Sequence, residues 1–185
     1  MSRHRRRLPH EYPAGKALFL TWHLHGSLPA SRFPPPGRLS SGESFVWIDR
    51  YLDNSREGPL HLKNEKIALL VVDSIHYAAQ SLGHYELRAY VVMANHVHLL
   101  AVPRVPPSRL LQSLKGFTSR EANKLLGRTG QPFWQRESYD HWVRDATEAA
   151  RIVSYIENNP VKAGLVAWPQ DYPWSSAAAR STDVP

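Results

Sequence analysis

The stretch YELRAYVVMANHVHLLAV, residues 85–102, decides how the rest of the chain is interpreted. It holds two runs rich in β-branched and aromatic residues, 85–93 and 96–102, separated only by Ala94-Asn95. Two such runs joined by a two-residue connection predict a β-hairpin, because antiparallel strands need no longer link. We therefore expect two neighbouring antiparallel strands here.

Strand-like and helix-like segments alternate around this hairpin. Alternation of side-chain character predicts a strand at 16–25, and segment 133–144 is either a strand or irregular. Apolar residues at helical spacing predict four helices, at 43–52, 62–82, 108–126 and 146–159. The order fits an α+β fold of the ferredoxin-like type, a split βαβ antiparallel sheet with helices packed on one face.

Residues at the predicted helix ends support these boundaries. Gly83 is expected to end the second helix, and Pro160 the fourth. Ser108 is the candidate N-cap of the third helix. Asp145 is the candidate N-cap of the fourth, with Glu148 completing a capping box.

Composition limits the class of protein. The 185 residues contain no cysteine, which excludes disulfides and cysteine-based zinc sites, and no apolar run approaches the roughly 18 residues of a membrane span. The first residues lack the apolar core of a secretory signal, so a cytoplasmic protein is expected. A net charge of +7 favours a polyanionic partner such as nucleic acid.

A pair of histidines on the second hairpin strand could bind a metal ion. Residues two apart on a strand share a face, so His96 and His98 can present two imidazoles to one ion. The same spacing recurs in the first predicted strand, at His23 and His25. The pattern alone does not rank the two pairs.

The fourth predicted helix carries a second group of polar side chains. Tyr155 and Asn159 are four residues apart and share a face, and Arg151 lies one turn earlier on it. A tyrosine, an amide and a guanidinium in one column suit phosphoryl transfer, with the tyrosine as nucleophile. Tyr139, beside Asp140-His141, is the alternative nucleophile.

Together these segments resemble a known family. Residues 90–100, YVVMANHVHLL, resemble the signature of single-tyrosine HUH transposases, and YIENNPVKAGLV at 155–166 resembles their REP-associated branch. The segments FWQ at 133–135 and YPWSS at 172–176 match that branch as well. The resemblance implies one catalytic domain over 1–185, with the histidine pair on a central strand, a basic arm at 1–15 and a probable insertion at 26–60.

The resemblance also implies an activity. It predicts nicking and joining of single-stranded DNA at hairpin, REP-like sequences through a 5′-phosphotyrosine, with Mg²⁺ or Mn²⁺ as the ion. It assigns Tyr155 as the nucleophile and His96, His98 and Asn159 as the metal ligands. The chain is expected to act as a monomer or homodimer, associated with the nucleoid if it is bacterial.

Basic and aromatic residues outside this centre are candidates for contacting DNA. Trp134 or Trp142 could stack on unpaired bases. The candidate phosphate contacts are Arg5, Arg6, Arg7, Lys115, Arg120 and Arg151.

Three other functions fit parts of the pattern. The chain could be a catalytically inactive or domesticated DNA-hairpin-binding protein. It could also be a metal nuclease that uses water as nucleophile, or an RNA-binding ferredoxin-like domain, although no convincing pair of stacking aromatics supports the last.

Overall fold

The computed structural model describes residues 15–28, 41–54 and 58–178. Its four strands are β1 (Leu18–His23), β2 (Tyr85–Val92), β3 (His96–Pro103) and β4 (Tyr139–Trp142). Its four α-helices are α1 (Ser41–Asn54), α2 (Glu65–Gln80), α3 (Pro107–Leu125) and α4 (Ala146–Lys162). Short 3-10 turns lie at His61–Lys63 and Pro169–Asp171.

The strands form one antiparallel sheet in the order β2-β3-β1-β4. β2 and β3 are the predicted hairpin, and β1 pairs with β3 on its other side. This is the strand order of a split βαβ fold, because β3 lies between the two strands that α1 and α2 connect. The predicted ferredoxin-like α+β class and the central position of the strand that carries His96 and His98 are confirmed.

Helices cover both faces of the sheet, so the expectation of helices on one face was wrong. Helices α2 and α3 pack on the face that carries Leu20, Leu99 and other fully buried residues. On the opposite face, Ile156 of α4 and Phe45 of α1 pack around Phe19 and Leu100. Because β3 alternates its side chains, Val97 and Leu99 point to the first face, and His96 and His98 to the second.

The bounds of all four helices differ from the predictions, and at α3 and α4 the difference concerns a predicted cap or stop. Helix α4 continues through Pro160 to Lys162, and the chain turns at Gly164, whose φ of 68° is left-handed. Pro160 lacks the backbone N–H that would bond to the Ile156 carbonyl, and only two residues of the helix follow it. Helix α3 begins at Pro107, and Ser108 does not cap it.

One of the two hydrogen bonds of the capping box predicted for α4 is formed, and the other is shifted by one residue. The Asp145 side chain accepts a hydrogen bond from the Glu148 backbone N–H at 2.8 Å, as predicted. The Glu148 carboxylate accepts from the backbone N–H of Arg144, one residue before the position that a capping box requires.

Candidate metal and nucleophile site

The two histidines of β3 lie side by side on the sheet face that α1 and α4 cover. His96 and His98 are both fully buried, and their ring centroids are 4.8 Å apart. Their cross-strand partners on β1 are His23 and Thr21. The alternation of the strand therefore presents both imidazoles to one spot beneath α1 and α4.

A hydrogen bond to Nδ1 fixes the orientation of each imidazole. His98 Nδ1 lies 2.7 Å from the Thr21 hydroxyl, and His96 Nδ1 lies 2.7 Å from the Asn95 side-chain carbonyl oxygen. Since that oxygen only accepts, His96 Nδ1 carries the proton and Nε2 presents a lone pair. The Asn95 amide in turn donates to the Leu52 carbonyl of α1 at 3.1 Å, so one side chain connects α1 to the histidine pair.

Helix α1 brings two carboxylates to the histidines. Asp49 Oδ1 lies 2.9 Å from His98 Nε2 and 3.9 Å from His96 Nε2. Asp53, one turn later on the same face, places Oδ1 3.6 Å from His96 Nε2. The ligand atoms of Asp49, His96 and His98 all lie within 4.8 Å of one another, so this group could hold a metal ion.

Helix α4 supplies an amide and a phenol to the same centre. The Asn159 side chain is fully buried, and its amide nitrogen lies 3.3 Å from His98 Nε2. Tyr155, one turn earlier, is partly buried, and its hydroxyl donates to Asp49 Oδ2. One carboxylate thus contacts both the tyrosine and a histidine.

Burial sets the protonation of this centre. It lowers the pKa of His96 to about 3, with the neighbouring His98 acting in the same direction, so His96 is neutral at pH 7. Burial raises the pKa of Asp53 to about 7, and the adjacent Asp49 adds to the rise. Burial acts to raise the pKa of Asp49, but the contact with His98, together with the nearby His96 and Lys162, holds that pKa below its ordinary value.

A cleft of about 420 Å³ opens beside the tyrosine. It is lined by Val46, Asp49, Arg50, Asp53, Tyr155 and Lys162. The Lys162 ammonium lies 4.5 Å from the centroid of the Tyr155 ring. The cleft therefore joins a tyrosine, two carboxylates and two cationic side chains next to the buried histidines.

The alternative histidine pair does not form a comparable group in the described part of the chain. His23 is buried, and its Nδ1 lies 2.8 Å from the Ser27 hydroxyl, while His25 is exposed beyond the end of β1. Of the two copies of the spacing, only His96 and His98 converge with a carboxylate.

Three of the other predicted residues, Lys115, Arg120 and Arg151, are not among the residues that line this cleft. Lys115 Nζ donates to the backbone carbonyls of Gln135 and Arg136, and Arg120 pairs with Glu121 at 3.1 Å. Arg151 is exposed on α4. The arm residues Arg5, Arg6 and Arg7 lie outside the described residues.

The two tryptophans proposed for base stacking belong to the hydrophobic core or its edge. Trp134 is only 7% exposed, and its indole N–H donates to the Thr118 hydroxyl at 2.8 Å. Trp142 is partly buried against the core on the α2–α3 face. The buried Trp134 ring therefore has no open face of the kind that a stacked base needs.

Sequence reasoning missed Asp49, Asp53 and Lys162. Asp49 lies within the predicted helix 43–52 and Asp53 directly follows it, four residues further along. The interpretation of 26–60 as an insertion drew attention away from this spacing. Lys162 was missed because Pro160 was taken as the end of its helix.

Comparison with known proteins identifies the family. Residues 60–159, more than half of the chain, match the family described as "Transposase IS200 like". A protein of Haemophilus influenzae assigned to the REP-associated tyrosine transposases is 31% identical over 112 residues. The REP-associated tyrosine transposase of Escherichia coli K12 is 30% identical over 96 residues. These alignments span 62% and 54% of the two relatives, and 52% and 50% of this chain.

A solved structure has the same fold. A REP-associated tyrosine transposase bound to a REP hairpin superposes with a TM-score of 0.60 at 20% identity, covering all of this chain and 89% of that one. No described helix has the length and apolar character needed to cross a membrane. With its sheet, its histidine pair and a family match over residues 60–159, this chain belongs to the IS200-like transposase family.

Proposed function

We propose that this chain nicks and joins single-stranded DNA at hairpin, REP-like sequences, using a divalent metal ion and a 5′-phosphotyrosine intermediate. The observation that carries the proposal is the convergence of His96, His98, Asn159 and Tyr155 at one spot, with Asp49 between them. Hairpin DNA as substrate is supported by the REP-associated relatives and by the hairpin-bound structure of similar fold.

The residues present fit a metal ion. Within the described ranges, His96 Nε2 and Asn159 Oδ1 are buried without a hydrogen-bond partner, which is costly unless a ligand satisfies them. The 2.9 Å contact between His98 Nε2 and Asp49 Oδ1 can be bridged by a proton or by an ion that both atoms bind. Imidazole, amide and carboxylate form the mixed nitrogen and oxygen set that Mn²⁺ accepts, and Mg²⁺ is the harder alternative.

The proposed ligands are His96, His98 and Asn159, with Asp49 as a fourth. Asn159 would bind through Oδ1, which has no hydrogen-bond partner in the described part of the chain. A bound divalent ion would neutralise charge on the scissile phosphate and polarise its phosphorus.

Tyr155 is the proposed nucleophile. Its Oη gives up its proton and forms a bond to phosphorus while the bond from phosphorus to the 3′ oxygen breaks. The 3′ oxygen takes up a proton, which leaves a 5′-phosphotyrosine and a free 3′-OH. Asp49 accepts the hydrogen bond from the phenol and so orients Oη beside the ligand group. A later attack by a 3′-OH on the phosphotyrosine rejoins DNA, and no nucleotide cofactor is required because the covalent bond conserves the energy.

The surroundings of the other candidate tyrosine argue against it. The Tyr139 ring stacks on Phe45 of α1, with centroids 4.4 Å apart. Burial raises the pKa of Tyr139, and the negative charges of Asp140 and Glu148 raise it further, which disfavours a phenolate. Tyr155, by contrast, opens into a cleft that carries two cations.

Covalent trapping tests the proposal. A pool of hairpin oligonucleotides labelled at the 3′ end is incubated with the protein and Mn²⁺, because the 5′-phosphotyrosine retains the 3′ fragment. We expect a labelled protein band on a denaturing gel that is lost with chelator and in Tyr155→Phe but kept in Tyr139→Phe. Cleavage without a band would indicate a water nucleophile, and hairpin binding without cleavage or band would indicate an inactive binding protein.

A further inference from the structure

We propose that Lys162 is a further catalytic residue, which binds the scissile phosphodiester and holds it against Tyr155. This inference rests on the proposed function and assigns the substrate phosphate a subsite within the same centre. Lys162 lies outside the residues that match the family, 60–159, so nothing in that match assigns it a role.

The register of α4 brings Lys162 to the tyrosine. Tyr155, Asn159 and Lys162 are spaced i, i+4 and i+7, and seven residues return to within about 20° of the same helix face. This alignment depends on the helix continuing through Pro160, as it does. One face of the last two turns therefore carries the proposed nucleophile, a proposed metal ligand and a cation.

The position of the ammonium suits a phosphate beside Tyr155. Lys162 Nζ lies 4.5 Å from the centroid of the ring whose edge carries Oη. In the described part of the chain, no carboxylate oxygen lies within 4.0 Å of Lys162 Nζ, the limit for an ion pair. Asp49 and Asp53 are nevertheless close enough for the lysine charge to lower their pKa values. An ammonium held over an aromatic face, without an ion-pair partner, is available for an anionic ligand.

The cleft defines how the substrate would approach. His96, His98 and Asn159 are fully buried, so a phosphate has to approach them from the side on which Tyr155 is partly exposed. That side is the cleft of about 420 Å³, a size within the usual range of ligand pockets of roughly 300–1,000 Å³. Lys162 and Arg50 are the cationic residues that line it.

Charge balance explains why a lysine is needed there. Asp49, whose pKa lies below its ordinary value, lines the same cleft and would repel a phosphodiester, and Asp53 would do so in its ionised form. A divalent ion held by Asp49 would offset part of that repulsion, and the ammonium of Lys162 offsets more of it on the side of the attacking oxygen. Lysine is a flexible point charge, so Nζ can move from the ring face to a phosphate oxygen as the substrate enters.

The test uses the full chain and three substitutions. Lys162→Met keeps the stem that covers Tyr155 and removes the charge, and Lys162→Arg restores a charge. Lys66→Met is the matched control, since Lys66 is exposed on α2, across the sheet from the cleft. For each variant we measure the single-turnover rate of covalent adduct formation with the hairpin pool, the affinity for Mn²⁺ and the affinity for the oligonucleotides.

We expect Lys162→Met to slow adduct formation about 100-fold, the lower end of the loss seen when one transition-state donor is removed. Affinities for Mn²⁺ and for oligonucleotide should stay within about threefold, because one phosphate contact among many adds little to binding. Lys162→Arg should recover part of the rate, and Lys66→Met should match the wild type.

The outcomes separate this inference from the proposed function. If the wild type forms the adduct and Lys162→Met forms it at a similar rate, the inference is wrong and the proposed function stands. A Lys162→Met variant that also loses Mn²⁺ binding would assign Lys162 a structural role and overturn the inference. No adduct from the wild-type chain with any hairpin would overturn both.

Discussion

Replacing Asp49 by asparagine should greatly weaken metal binding. The substitution keeps the size of the side chain and removes its charge. Asp49 Oδ1 is 2.9 Å from His98 Nε2 and 3.9 Å from His96 Nε2. Both distances lie within the 4.8 Å that encloses the ligand atoms of Asp49, His96 and His98, so the three residues could share one ion.

The magnitude follows from the other ligands. Removing a residue that only supports a metal ligand typically lowers affinity by about 10–100-fold. Asp49 is proposed as a direct ligand and as the charged member of a set that otherwise consists of two imidazoles and an amide. We therefore expect Asp49→Asn to weaken Mn²⁺ binding by at least about 100-fold, which corresponds to about 2.7 kcal/mol.

Isothermal titration of Mn²⁺ into the purified chain measures this effect. Asp73→Asn is the matched control, because Asp73 is an exposed aspartate of α2 on the other side of the sheet. His96→Ala should abolish binding and so show that the titration reports this site. A Mn²⁺ affinity of Asp49→Asn within about threefold of the wild type would refute the assignment of Asp49 as a ligand.

Three further predictions concern the support of the site. Asn95→Ala removes the acceptor that orients His96 and should lower Mn²⁺ affinity about 10-fold or more in the same titration. Ile156 is fully buried, so Ile156→Ala should lower the free energy of unfolding, measured in urea, by about 2–5 kcal/mol, and Ile156→Val by about 0.5–1.5 kcal/mol. Small and equal effects of the two substitutions would contradict the close packing of Ile156 against the sheet. The pKa of His96 falls from about 6.5 in the unfolded chain to about 3 in the fold, so the unfolded chain binds more protons between these values. Without metal, the wild type should lose stability relative to His96→Gln as pH drops below about 6.5, as urea titrations of both proteins at pH 7 and 5.5 would show. The comparison uses the variant because the raised pKa of Asp53 changes the stability of both proteins in the opposite direction over this pH range.

The hairpin and the histidine-bearing strand β3 could be predicted from the sequence because the patterns that indicate them lie within a few neighbouring residues. The hairpin follows from two apolar runs with Ala94-Asn95 between them, and the shared face of His96 and His98 follows from the period of a strand. The side of the sheet on which each helix packs could not be predicted. Helical periodicity shows which face of a helix is buried, not the sheet face that it covers.

The acidic and cationic parts of the site depend on contacts between distant segments. Asp49 reaches His98 across 49 positions of sequence, through the packing of α1 on the sheet, and no spacing rule connects them. The place of Lys162 in the site could not be predicted without knowing that Pro160 lies within the last turn of α4 rather than after it. The hydrogen bond from His96 to Asn95 could not be predicted either, since a polar residue in a hairpin turn is usually explained by the turn alone.

Identifying the amino acid that becomes linked to DNA tests the central claim most directly. After the covalent reaction, the DNA is removed by nuclease and the protein is digested with trypsin. The two candidate tyrosines then fall in different peptides, Tyr155 in residues 152–162 and Tyr139 in residues 137–144. We predict that mass spectrometry will find the residual nucleotide on the peptide 152–162, and only when Mn²⁺ or Mg²⁺ was present. A nucleotide on the peptide 137–144, or cleaved DNA with neither peptide modified, would contradict the proposed mechanism.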